Sequence, residues 1–174
     1  MKFLTLNYCR LLLAAGLLLF AKPLFAQEEI KSNLVTVSWL EKNLNNKNVI
    51  ILDATSSKSY SKQHIPGAIN VDVFTYGGKE TTTADMEQLF QSKGISLGKK
   101  IVIYDQGGTM LATRLFFSLN YYGFPAEDLL ILDGGLFKWQ EKGFQLTNDI
   151  TPPPVKGSFI INNLNDDVRV KLPE

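Results

Sequence analysis

The residues best placed to do chemistry sit where an apolar run meets a glycine-bearing loop. Ile101-Val102-Ile103-Tyr104 reads as a buried strand, Asp105-Gln106-Gly107-Gly108-Thr109 as a loop, and Met110 as the start of a helix. In a turn of this kind, loop amides converge on the helix start and form a concavity that favours negative charge. Asp105 stands first in the loop and brings its own negative charge into that field. It can cap the amides from Gln106 to Met110 and stiffen the turn. A nucleophilic aspartate of the phosphoryl-accepting kind usually needs a second acid and a metal close by. Neither this loop nor Asp53-Ala54-Thr55, the other aspartate at a strand end, offers a second acid.

Three further side chains are candidates. His64 is the single histidine. It is either a general base or the anchor of the turn at Ile65-Pro66-Gly67. Arg114, the one arginine of the domain body, either pairs with an acid such as Asp105 or Asp53 or faces a second domain. Trp139 is expected to fill core beneath the Gly134-Gly135 turn. If Phe117 or Tyr121 faces outward, the surplus apolar surface marks a partner interface. One histidine and no acid cluster at ligand spacing leave no basis for a metal site, and no motif implies a cofactor.

The elements that position these residues follow from periodicity and punctuation. Ser38-Trp39-Leu40-Glu41 reads as a capping box, opening a helix that runs from Trp39 to about Leu44. Val49 to Leu52 is a short apolar strand ending at Asp53, Ser57 to Gln63 a weak helical turn, and Ile69 to Val71 another strand. Thr82-Thr83 caps a helix from Ala84 to Lys93, with Met86, Leu89 and Phe90 on one face and Gly94 as its stop. The helix after the glycine loop runs from about Met110 to Tyr122 and buries Leu111, Leu115, Phe116 and Leu119. Leu129 to Leu132 is a strand, and Leu136 to Lys142 a last helix. Alternating strands and helices imply an α/β fold with a parallel sheet and helices on both faces. Uniformly apolar strands fit burial on both sides.

The ends differ from this body. Lys2 and Arg10 precede an apolar run, Leu11 to Phe20, that is too short to span a bilayer as a helix. Lys22-Pro23 breaks the run, and Ala26 suits a signal peptidase cut before Gln27; an uncleaved anchor is the alternative. Residues 1–26 therefore read as a signal peptide for export, into the periplasm if the source is bacterial. Cys9, the only cysteine, precedes the apolar run, which argues against lipoprotein processing, and it would leave with the signal. The mature chain would carry 15 basic and 17 acidic residues, no thiol and no disulfide. That balance suggests neither a nucleic-acid surface nor an anionic-membrane surface. Residues 27–146 form the expected domain. Residues 147–174, with Pro152-Pro153-Pro154, read as a stiff linker and the opening of a second domain.

Three segments in order resemble the rhodanese homology family. Asp53 is followed by Tyr60 and by Gln63-His64-Ile65-Pro66-Gly67-Ala68, similar to the family's G-H-I-P-G-A with Gln63 in place of the glycine. Ile101 to Tyr104 runs into a glycine-bearing loop and a helix. Leu132-Asp133-Gly134-Gly135-Leu136-Phe137-Lys138-Trp139 matches L-x-G-G-x-x-x-W. The likeness covers about Val35 to Leu146. In Tyr104-Asp105, Gly107-Gly108, Ala112-Thr113-Arg114 and Phe116-Phe117 it resembles the N-terminal halves of tandem thiosulfate and 3-mercaptopyruvate sulfurtransferases.

The resemblance implies a rhodanese-like sheet. It also implies that Asp105 replaces the cysteine that elsewhere takes sulfane sulfur as a persulfide. On this basis Asp105, Gln106, Gly107, Gly108, Thr109 and Met110 are the active-loop equivalent, and the chain by itself is expected to be inactive. His64 and Arg114 become candidates for the interface with a C-terminal rhodanese domain that supplies the cysteine. The rival expectation is a stand-alone, cysteine-free binding or regulatory module.

Overall fold

The computed structural model describes residues 32–76, 81–152 and 155–169. Residues 1–31, with the expected signal peptide and Cys9, Pro153-Pro154 and the last five residues lie outside them. Five parallel strands make one sheet: β1 (Leu34–Val35), β2 (Val49–Asp53), β3 (Ile69–Asn70), β4 (Lys100–Tyr104) and β5 (Leu129–Leu132). Their order across the sheet is β1-β5-β4-β2-β3. The helices are α1 (Val37–Asn43), α2 (Ser57–Tyr60), α3 (Thr83–Ser92), α4 (Met110–Tyr121) and α5 (Gly135–Glu141).

The two-residue period of the strands divides the core into two layers. Ile50, Leu52, Ile101, Ile103, Leu129 and Ile131 point to one face, where Met86 and Phe90 of α3 and Ala112, Leu115 and Leu119 of α4 cover them. Ile51, Val102, Tyr104, Leu130 and Leu132 point to the other, under Val37 and Leu40 of α1 and Leu136 and Trp139 of α5. Trp139 is fully buried, and its indole N–H donates to the Gln145 carbonyl at 2.9 Å. The parallel α/β architecture expected from the sequence is therefore the one found.

Three details differ. β1 was not anticipated; its two residues pair with Ile131 and Leu132 of β5. α1 begins two residues earlier than the capping box suggests. Thr36 is its N-cap, and the Thr36 hydroxyl accepts from the Trp39 amide at 3.1 Å. That placement lets Val37 bury inside the first turn. The third difference lies beyond Leu146, where the sequence reading closes the domain. Phe159 and Ile161 are buried in the α3/α4 layer. Their segment is bound along α3: the Gly157 amide donates to Gln91 O (2.8 Å), Phe159 N to Ile95 O (3.1 Å), and Ile161 N to Glu87 Oε2 (2.8 Å). A β-carbon on Gly157 would stand 2.0 Å from Ile95 O, so only glycine permits this approach. The described post-proline segment is thus a strap packed on this core.

Candidate active site

β4 ends at Tyr104, and the next residue turns its carboxyl group back over the start of α4. Asp105 is 4 % exposed. Its Oδ1 accepts from the amides of Gly107 (2.8 Å) and Thr109 (3.0 Å), and its Oδ2 from those of Leu111 (3.0 Å) and Ala112 (3.2 Å). Leu111 and Ala112 contribute first-turn amides, which have no partner within their own helix. The carboxylate also meets the positive end of the α4 dipole. Thr109 stands at the N-cap position, but its side chain makes no cap bond. Asp105 performs that task from four residues upstream.

The loop has a strained backbone. Thr109 has φ +61°, the left-handed region, and it is the one non-glycine described residue with positive φ. A β-branched residue there is disfavoured. Thr113 helps hold it, its amide and hydroxyl both donating to the Thr109 carbonyl at 2.8 Å.

A second turn locks the loop from below. Leu136 N donates to Asp105 O (2.9 Å) and Phe137 N to Gln106 O (3.0 Å). Gly135, at φ +53°, makes the approach possible: a β-carbon on it would lie 2.5 Å from Asp105 O and 2.8 Å from Gly107 N. The Gly134-Gly135 pair was legible as a turn, but its docking on the Asp105 loop was not. Met110 at the end of the loop is 72 % exposed, Phe137, which lies against Gly107, is 63 % exposed, and Gln106 is half-buried.

The other candidates fall elsewhere. Asp53 and Tyr104 are register partners on adjacent strands, so both side chains enter the α1/α5 layer. Asp53 is fully buried. Its Oδ1 accepts from the Thr55 amide (2.8 Å) and hydroxyl, and burial pushes its carboxyl above the usual range. Burial, then the nearby Asp53 charge, pushes the Tyr104 phenol well above its ordinary value. His64 is fully buried inside this domain, so its ring offers nothing to the surface of a second one. Its Nδ1 lies 2.9 Å from Tyr60 O, and its main chain exchanges two hydrogen bonds with Thr147. That is the anchoring role, not the interface role. Arg114 is exposed on α4, across the sheet from Asp53; burial pushes the nearby Tyr76 phenol up to about 12, against the smaller opposing effects of the Ser118 hydroxyl and the Arg114 charge. Both Asp105 oxygens are engaged by amides instead. Among the described residues, no three His, Cys, Asp or Glu side chains cluster for a metal, and no helix is long and apolar enough to cross a membrane.

The Rhodanese-like domain model matches residues 36–142, most of the described chain. This chain belongs to the rhodanese-like domain family. It is 27 % identical over 147 residues to thiosulfate/3-mercaptopyruvate sulfurtransferase 2 of Arabidopsis thaliana, covering 75 % of this chain and 42 % of the relative. It is 29 % identical over 129 residues to the mitochondrial sulfurtransferase 1 of the same plant, covering 65 % of this chain and 34 % of the relative. The rhodanese-like chain therefore spans less than half the length of these curated relatives. Among solved structures, a 3-mercaptopyruvate sulfotransferase from Escherichia coli superposes with a TM-score of 0.68 at 22 % identity, over 78 % of this chain and 57 % of that one. That likeness establishes the shared rhodanese fold.

Proposed function

We propose that this rhodanese-like domain is the non-catalytic N-terminal half of an exported sulfurtransferase of the thiosulfate/3-mercaptopyruvate type, with Asp105 in place of the persulfide-forming cysteine. The observation that carries the reading is the filling of the loop. All four converging amides are taken by the Asp105 carboxylate. An oxygen acid cannot hold sulfane sulfur, and its charge opposes entry of an anionic donor. Its role is to fix the loop and present a rigid wall, beneath Met110 and Phe137, to a cysteine-bearing C-terminal domain. The basic and apolar N-terminus and Ala26 support export, to the periplasm in a bacterium.

A second reading, a stand-alone binding module, draws on the same exposed Met110 and Phe137, and on Phe74, 63 % exposed. Both readings expect no thiosulfate:cyanide sulfurtransferase activity from the purified protein. Turnover clearly above a buffer blank that survives iodoacetamide would refute both. A downstream coding frame with a second His-Ile-Pro-Gly-Ala-type segment and a cysteine loop supports the tandem reading. Capture of a stable partner by the domain in the absence of such a frame supports the module.

A further inference from the structure

The amino edge of the sheet, opposite the Asp105 loop, carries a pocket that the candidate site does not use. It has a volume of about 550 Å³ and lies between the strap and the turns that lead into β4 and β5. The strap crosses the turn after α4 so closely that a β-carbon on Gly123 would stand 2.7 Å from Asn163 O. Ile160, Asn162 and Leu164 line the pocket from the strap, and Leu97, Pro125 and Ala126 from the two turns.

Two features of the lining point to a peptide segment as its occupant. The first is the alternation of the strap's amides. Phe159 N donates to Ile95 O and Ile161 N to the Glu87 carboxylate. Among the described residues, the amides of Ile160 and Asn162, which alternate with them, donate to nothing. That is the pattern of a strand with one edge held and the other bare. The second is the polar part of the lining. Asn120 and Asn165 bond each other at 2.9 Å, but the Asn162 and Asn163 carboxamides have no partner among the described residues. A carboxamide offers a donor and an acceptor, as a peptide group does. Leu97, Ile160 and Leu164, all exposed, add apolar contact.

The chain itself brings a peptide to the rim. The Asn33 carboxamide donates to Ala126 O (2.7 Å) and Leu129 O (2.8 Å), so the residues before Ser32 lead away from beside a pocket-lining residue. A cavity of this volume is about 10 Å across, and five residues span at most about 17 Å, so residues 27–31 can reach its far wall. On so short a tether, the segment has an effective concentration on the order of millimolar. Its sequence is Gln27-Glu28-Glu29-Ile30-Lys31, with Ile30 its one aliphatic residue. It stays with the domain whether or not the chain is cut before Gln27.

We propose that residues 27–31 add to the bare edge of the strap as a short strand, with Ile30 seated against Leu97, Ile160 and Leu164. The added strand accepts from the Ile160 and Asn162 amides, and the Asn162 and Asn163 carboxamides bond its peptide groups. It ties β1 to the strap and closes the amino edge of the sheet.

The test is NMR of the full chain, with Ile30→Asp as the variant. Wild type is expected to show nuclear Overhauser contacts from the Ile30 methyls to those of Leu97, Ile160 or Leu164. Exchange of the Ile160 and Asn162 amides should be about tenfold faster in Ile30→Asp, with the Phe159 amide unchanged because the strap itself stays in place. The methyl contacts need no variant, so they decide the matter if Ile30→Asp does not fold. Protection independent of protein concentration supports a segment of the same chain. Protection that grows with concentration means that a second copy fills the pocket, and overturns the proposal. Equal exchange at Ile160 and Asn162 in both proteins, acceleration of Phe159 by the same factor, or no methyl contact to Ile30 overturns it as well.

Discussion

Replacing Asp105 by alanine isolates the part of the loop that everything else leans on. The substitution removes the acceptor for four amides at 2.8–3.2 Å. Hydrogen bonds to a charged acceptor contribute about 1.5–3 kcal/mol each, so a naive sum approaches 10 kcal/mol. Two effects cut it down. The carboxylate itself lost hydration on burial, and Gly107 and Thr109 are partly exposed, so water can reach their amides once the side chain is gone. The orphaned amides at Leu111 and Ala112 retain a penalty of about 1–3 kcal/mol each, which includes the lost cap of α4. The expected loss is about 3–5 kcal/mol, a large part of the roughly 5–15 kcal/mol that holds such a domain together. Urea unfolding should show a lower midpoint with an unchanged slope, and melting should fall by about 10 °C. Asp105→Asn keeps one oxygen but turns an amino group toward the remaining donors, so it should lose about half as much. An Asp105→Ala protein within about 0.5 kcal/mol of wild type would refute the claim that this carboxylate organises the loop.

Other consequences are as concrete. Gly135→Ala drives a β-carbon into Asp105 O and Gly107 N, and should destabilise by about 3 kcal/mol or more, with loss of the loop signals in an NMR amide spectrum. Thr109→Gly relieves a left-handed β-branched residue worth about 1–2 kcal/mol against a glycine entropy loss of about 0.5–1 kcal/mol. Calorimetry should therefore find it equal to or slightly more stable than wild type. Phe159→Ala should cost about 3–5 kcal/mol in chemical denaturation if the strap belongs to this core, and almost nothing if it is a linker.

The sheet was readable because its strands are apolar on both faces and its helices are punctuated by Gly94, Gly123 and Gly143. Leu34–Val35 escaped because a two-residue strand has no period of its own; only β5, almost a hundred residues away, defines it. Ser38 fits the capping-box pattern, but Thr36 can cap as well, and the burial of Val37 places the cap there. The packing of Phe159 and Ile161 on this core escaped for a similar reason. After a proline run, Phe159 and Ile161 look like the start of something new. Their seat exists only because Gly157 lets the backbone touch Ile95 and because Gln91 and Glu87 offer partners. The strand–glycine loop–helix pattern suggested Asp105 as a cap for the amides from Gln106 to Met110; Gly107 and Thr109 fall in that range, and Leu111 and Ala112 lie beyond it. That the Gly134-Gly135 turn braces it was not legible, since nothing local says which loop a turn will meet.

The most direct test of the filled cradle is thiol titration of Asp105→Cys in a Cys9→Ser background. A thiol placed where four amides and a helix start converge should ionise well below the ordinary value of about 8.5, read as the midpoint of pH-dependent alkylation. An alkylation midpoint near 8.5, in a variant shown to be folded, would contradict the account of this loop as an anion cradle occupied by its own aspartate.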